Sequence, residues 1–176
     1  RRINTLLLPQ IVPEDPDRPV AIEDKMDPLD FSKLLSADFS TSFILTQVTV
    51  FTPPKELEAR VDALQQAGIE RVVFVGVPRM INRPIIGPQP TEALNAFRTQ
   101  IPSRGAILIP TRSEEKERLS YKLESGATFA LTQMLFSDQI VGFLNSMANT
   151  AHRPEIILSF SYVPNLESKV GLIRWL

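Results

Sequence analysis

Short apolar runs alternate with longer stretches of helical periodicity along the whole chain. Six such runs occupy 3–8, 43–50, 71–77, 106–110, 129–133 and 156–160. Each is apolar on both parities, as a strand covered on two faces is. The stretches between them carry helix punctuation. Asp27-Pro28 offers an N-cap with proline at the first helical position, and Leu29, Phe31, Leu34 and Leu35 follow as an apolar face. Thr52-Pro53 repeats the device ahead of Leu57, Val61 and Leu64, one helical face, with Gly68 able to turn left-handed after the last turn. Thr111 with Glu114 reads as a capping box before Leu119 and Leu123, stopped by Gly126, and Ser137 as the cap before Ile140, Val141, Leu144 and Met147. From Thr91 through Leu94 to Phe97 a shorter helix follows an approach crowded by Pro84, Pro88 and Pro90.

Strict alternation of strand and helix implies right-handed crossovers and a parallel sheet covered by helices. Two architectures satisfy that. A doubly wound sheet usually carries a glycine-rich phosphate turn after its first strand, and Pro9-Gln10-Ile11-Val12-Pro13 is not one. Units of similar length, with no strand set apart as an edge, favour the barrel. Six units do not close eight strands. The expectation is therefore an α/β fold, an incomplete (β/α)8 TIM barrel, forming one domain over 1–176 with the first strand and the last unit outside it.

Composition narrows the partners. Lys+Arg number 19 against Asp+Glu 20, so no cationic excess exists to hold a nucleic acid or an anionic membrane, and neither partner is expected. The absence of cysteine removes disulfides, thiolate nucleophiles and Cys-ligated metals, which fits a reducing, cytoplasmic setting. No apolar run approaches the ~20 residues that span a bilayer, and the start of the chain is too short in apolar residues before Pro9 to read as a signal peptide.

In such a barrel the site is built at the carboxyl ends of the strands and in the loops after them. These ends read Pro9-Gln10, Thr46-Gln47-Val48-Thr49, Gly76-Val77-Pro78-Arg79, Pro110-Thr111-Arg112, Thr132-Gln133 and Ser159-Phe160-Ser161. They hold amides, hydroxyls and two arginines, and no histidine, cysteine or carboxylate. That suits a flat polar heterocycle better than nucleophilic or metal chemistry, and no metal is expected. The amides of Gln133 and Gln47 each carry a donor and an acceptor for the edge of a pterin or carboxamide, although Gln133 also reads as an interior polar residue satisfied by its neighbours. Arg79 and Arg112 have the forked donors that hold carboxylate or pyrophosphate, or are simply solvated. His152 reads as a cation at a helix C-terminus on the opposite rim. The acidic segment 14–19 reads as a lid or as a solvated loop.

A family resemblance rests on 119–138, LSYKLESGATFALTQMLFSD, which resembles the lysine, G-A and I-T-Q-x-x-F/Y-D stretch of methylenetetrahydrofolate reductases. Leu45-Thr46-Gln47, the following Thr-Pro-Pro and Ala67-Gly68-Ile69 resemble the family's L-T-C strand, helix and next strand in the same order. The segment 156–164, ending in Val163-Pro164, resembles its proline-terminated strand. The likeness spans roughly 42 to 164 and implies that the six strands are the second to seventh of the barrel. The first strand, where the family carries a glutamate thought to protonate the folate, would then lie outside the chain, leaving the catalytic acid unknown.

Departures sharpen the resemblance. Flavin-dependent members have a histidine before L-T, an aspartate in an R-G-D-L-P strand end and a tyrosine before the next strand's proline. Ile44, Gly76-Val77-Pro78 and Ile109 before Pro110 stand there instead. The chain is thus most similar to the flavin-independent branch, which implies NADH or NADPH as cofactor, with FAD not expected. On that resemblance Gln133, Gln47 and Thr46 would meet the folate, and Arg79, Arg112, Lys122 and Pro110 the cofactor; Lys122 also reads as an ordinary helix-surface lysine. The implied activity is reduction of 5,10-methylenetetrahydrofolate to 5-methyltetrahydrofolate, a step that supplies methyl groups for methionine biosynthesis. The alternatives are a flavin-dependent reductase of the same family and a non-catalytic folate-binding or methyl-transfer accessory barrel. An unrelated aldolase or isomerase barrel is disfavoured by the want of a strand-end lysine or histidine.

Overall fold

The computed structural model describes residues 4–10, 26–76, 83–148 and 153–160. Its elements alternate without exception: β1 (Thr5–Leu8), α1 (Pro28–Asp38), β2 (Ser42–Val48), α2 (Pro54–Gln66), β3 (Arg71–Val75), α3 (Pro90–Ala96), β4 (Ser103–Leu108), α4 (Glu115–Glu124), β5 (Phe129–Thr132), α5 (Gln139–Ser146) and β6 (Glu155–Ile157). The six strands form one sheet in the order β1-β2-β3-β4-β5-β6, and every neighbouring pair is parallel. Each crossover therefore moves the same way. A doubly wound sheet reverses direction at its switch point, whereas winding in one sense is how a (β/α)8 barrel is laid down. The described chain is the curled, incomplete form of that barrel.

Strand parity divides the apolar residues between two layers. On the outside, Phe43, Leu45, Val72, Phe74 and Ala106 pack with Leu57, Val61 and Leu64 of α2 and with Ala93, Leu94 and Phe97 in and after α3. Leu108 and Ala130 continue that layer against Leu119, Ile140 and Met147. Leu57 and Val61 are wholly buried, and burial of such side chains at about 1.5–3 kcal/mol each holds α2 to the sheet. The inside is lined by Ile44, Val73, Phe129 and Leu131, with Val75, Ile107 and Ile157 packed on them.

Two devices fit the strands to this plan. Gly105 faces inward opposite Phe129, and a Cβ there would stand 2.6 Å from the ring's Cε2 and 2.8 Å from Val73 Cγ2, so the missing side chain is the space the ring fills. Arg104 faces outward at the start of β4, only 8% exposed, and donates to the carbonyls of Gly126 and Arg98 at 3.0 Å and to that of Ile101. Burial, and secondarily the charge of Arg98, lowers its pKa from the ordinary arginine value.

Several local expectations change. β1 ends with its apolar run at Leu8, but β2, β4 and β5 stop one or two residues before theirs, and Val50, Ile109 and Gln133 lie beyond the last ladder pair. Thr111 and Glu114 form no capping box: Glu114 is itself the N-cap, in the left-handed region at φ 57°, and α4 begins at Glu115. Ser137 does not cap α5, whose N-cap is Asp138. Thr52 bonds the Val48 carbonyl and leaves Pro53 as the N-cap of α2. Asp27 does cap α1, accepting from Leu29 N at 2.8 Å. Gly68 and Gly126 take positive φ, +73° and +111°, at the ends of α2 and α4 as their positions foretold.

Candidate functional site

The carboxyl ends of β4 and β5 open into a cavity of about 260 Å³. Ile109, Pro110 and Thr111 form one wall, Gln133 and Met134 the floor between the strands, and Leu135, Phe136, Ser137, Gln139 and Ile140 the far side. Backbone bonds fix this corner. Gln133 N donates to Leu108 O at 2.8 Å, Leu135 N to Ser159 O at 2.9 Å, and Ser159 N to the Thr132 hydroxyl at 2.8 Å. The β5 tip is thereby tied to both neighbouring strands. Thr111, Gln133, Ser137 and Gln139 stand among the apolar lining residues, and a cavity of this size has room for one flat heterocycle and not for a whole dinucleotide with a folate.

Behind the β4 tip lies a buried carboxylate. The Glu115 side chain is 1% exposed, and its Oε1 accepts from Lys122 Nζ at 2.9 Å and from Ile109 N at 3.1 Å. Lys122 Nζ also donates to Ile107 O at 2.7 Å. Arg112 Nη1 lies 3.9 Å from Glu115 Oε2, which has no hydrogen-bond partner. One buried anion thus anchors the strand tip, a helix lysine and, at longer range, a rim arginine.

On the other side of the mouth, the Thr46 hydroxyl accepts from Gln10 N at 2.7 Å, and Gln10 Oε1 accepts from Val48 N at 2.6 Å. These bonds prolong the β1 to β2 contact past the last ladder pair. The described end of the β3–α3 connection, residues 83–89, lies on the β2–α2 connection: Ile86 N and Gly87 N both donate to Val50 O, at 2.9 and 3.0 Å, and the Arg83 guanidinium sits 5.0 Å over the Phe51 ring.

The residues singled out from the sequence separate accordingly. Gln133 and Pro110 meet in the cavity. Thr46 is 8% exposed and engaged by Gln10. Gln47 turns to the helix layer, where its Oε1 accepts from Arg60 Nε at 3.2 Å and its Nε2 donates to Val48 O at 2.9 Å; the mouth does not receive it. Arg60 in turn grips Asp27 at 2.7 Å, joining α1, α2 and β2 outside the barrel. Arg112 stands on the rim beside Thr111, and Lys122 lies behind the β4 tip. Arg79, His152, the acidic segment 14–19 and Val163-Pro164 lie outside the described residues. Glu115 went unnoticed in the sequence, although it shares the inward face of α4 with Leu119 and Lys122, at i, i+4 and i+7. Among the described residues no group of three or more His, Cys, Asp or Glu is gathered to hold a metal ion, and no helix is long and apolar enough to cross a membrane.

A family model described as mycobacterial methylenetetrahydrofolate reductase covers residues 1–176. No curated protein sequence matches the chain.

Proposed function

The chain belongs to the family of mycobacterial methylenetetrahydrofolate reductases, and on that premise we propose that it reduces 5,10-methylenetetrahydrofolate to 5-methyltetrahydrofolate with a nicotinamide dinucleotide and without flavin. The observation that carries the reading is the cavity between the β4 and β5 tips, which sets the Gln133 amide among Pro110, Met134 and Phe136. An amide presents a donor and an acceptor to the edge of a pterin, and apolar neighbours cover the faces of a flat ring while excluding water. The nicotinamide, when bound, would supply the hydride for the methylene carbon, which becomes methyl as its bond to one of the two bridged folate nitrogens breaks and that nitrogen takes a proton. The protein's own contribution is orientation: Gln133 fixes the rotation of the pterin in its plane, and the β5 tip, bonded to β4 and β6, holds Gln133 still. Glu115 is committed to Lys122 and Ile109 and takes no part in proton transfer on this reading.

The positions that hold polar flavin contacts in other members support the flavin-free assignment. Ile44 is buried at 4% exposure among Val73, Phe129 and Leu131, and Ile109 lines the cavity with an apolar side chain. Neither offers a hydrogen bond to an isoalloxazine ring. The test is NADH and NADPH oxidation by the purified full-length protein, dependent on methylenetetrahydrofolate, together with its absorbance spectrum. Turnover by a colourless preparation supports the proposal. A bound flavin, or turnover only after flavin is added, overturns the cofactor assignment, and no folate-dependent oxidation overturns the activity.

A further inference from the structure

The cluster behind the β4 tip gathers two cations around one buried carboxylate. Glu115 is a fully buried carboxylate, and such a group requires a close counter-charge. Lys122 provides it at 2.9 Å and is itself secured by Ile107 O at 2.7 Å. Arg112 is a second cation for the same anion, but at 3.9 Å, without a hydrogen bond and with a side chain 36% exposed. The two cations are therefore not equivalent. Lys122 is held by a carboxylate and a carbonyl, at 2.9 and 2.7 Å, and its side chain is only 18% exposed. Arg112 follows directly on Pro110 and Thr111 of the cavity wall and is held only loosely. Its departure would leave Glu115 still neutralised.

We propose that Glu115 is a positioning residue that sequesters Lys122 so that Arg112 stays available, and that Arg112 binds the pyrophosphate of the dinucleotide cofactor. The inference rests on the dinucleotide reading above and adds which of the two cations meets the phosphates, and why. A guanidinium offers paired donors to two phosphate oxygens, and at the rim it gains that interaction without stranding a buried charge. Removing Lys122 reverses the arrangement. Glu115 then lacks its near partner, Arg112 becomes its counter-ion, and the cofactor loses its phosphate contact although Arg112 is still present.

Calorimetric titration of the full-length protein tests this with two probes: NADH, and reduced nicotinamide riboside, which has no phosphate. Arg112→Gln is expected to weaken NADH binding about tenfold and to leave the riboside unchanged. Lys122→Met is expected to weaken NADH by a similar factor. The double variant Lys122→Met with Glu115→Gln, which removes the buried pair together, is expected to recover NADH affinity to within about threefold of the parent. That rescue is what a merely structural role of Lys122 would not produce, and thermal unfolding of each variant identifies any loss due to misfolding. If the parent protein binds NADH and Arg112→Gln binds it equally well, or if the double variant binds no better than Lys122→Met, the inference is overturned while the reductase reading stands. If the parent binds neither probe, both fall.

Discussion

Arg71 Nη2 lies 2.6 Å from Glu155 Oε2, joining the first residue of β3 to the first of β6. On a flat sheet those strands would be three spacings, about 14 Å, apart. The guanidinium also lies 4.5 Å above the Phe129 ring of β5, between the two strands it links. The pair therefore spans the concave side of a curled sheet, at the end opposite the cavity.

The pair itself is partly exposed, 25% and 58% for the two side chains, so Glu155→Gln is expected to cost about 1 kcal/mol or less. Arg71→Ala removes in addition the contact with Phe129, about 0.5–1 kcal/mol, and the packing of the aliphatic stem, and is expected to cost more than Glu155→Gln. Urea unfolding of the two variants measures the difference; equal costs would show that the ring contact contributes nothing.

Gly105→Ala places a methyl group against the Phe129 ring and Val73. Overpacking at a closed interior site is expected to cost about 1–3 kcal/mol. Phe129→Leu in the same background should restore part of the loss, so the two substitutions should be non-additive in denaturant titrations.

Arg104→Met leaves the carbonyls of Gly126, Arg98 and Ile101 without their shared donor in a buried place. At about 1–3 kcal/mol for a stranded polar group, the variant is expected to unfold well below the parent's midpoint while the cavity residues stay in place until it does. Differential scanning calorimetry gives the shift.

Gly87→Ala builds a methyl group directly onto the carbonyl oxygens of Thr49 and Thr52. The β3–α3 connection should lift from the β2–α2 connection. Amide exchange of Ile86 should accelerate while that of β2 is unchanged.

Gln133→Leu keeps the size of the side chain near the cavity floor but loses both polar atoms. On the reading proposed above, loss of a donor and acceptor pair worth about 1–3 kcal/mol is expected to weaken folate binding by about one to two orders of magnitude in calorimetric titration. Equal folate affinity in the variant would remove Gln133 from the site.

How far the sequence carried is clearest at particular residues. The barrel was legible because six two-sided apolar runs repeat at similar spacing, and because Asp27, Gly68 and Gly126 punctuate the helices in the way their chemistry dictates. The start of β4 was not, since Ser103, Arg104 and Gly105 look like a loop. Arg104 gathers carbonyls and Gly105 makes room for a ring, and both reasons depend on residues distant in the chain. At the site, Gln133 follows Phe129 and Leu131 on the inward parity. Gln47 could have been set aside by the same rule, because it shares the parity of Phe43 and Leu45, which face the helices. Glu115 was hidden by its type: a glutamate on an otherwise charged helix reads as solvated until Lys122 and the Ile109 amide are found converging on it.

The strict chain-order neighbourhood of the strands also bears on how the protein is made. Leu8 pairs with Leu45 and Ala106 with Ala130, so each new strand finds its partner in the unit synthesised just before it. Such a sheet can accumulate at the ribosome one strand-and-helix unit after another, with modest loop closure at each addition. The cavity has no precursor in β1 to β3, since its lining follows β4 and β5, and it takes shape only once both of those strands are in place.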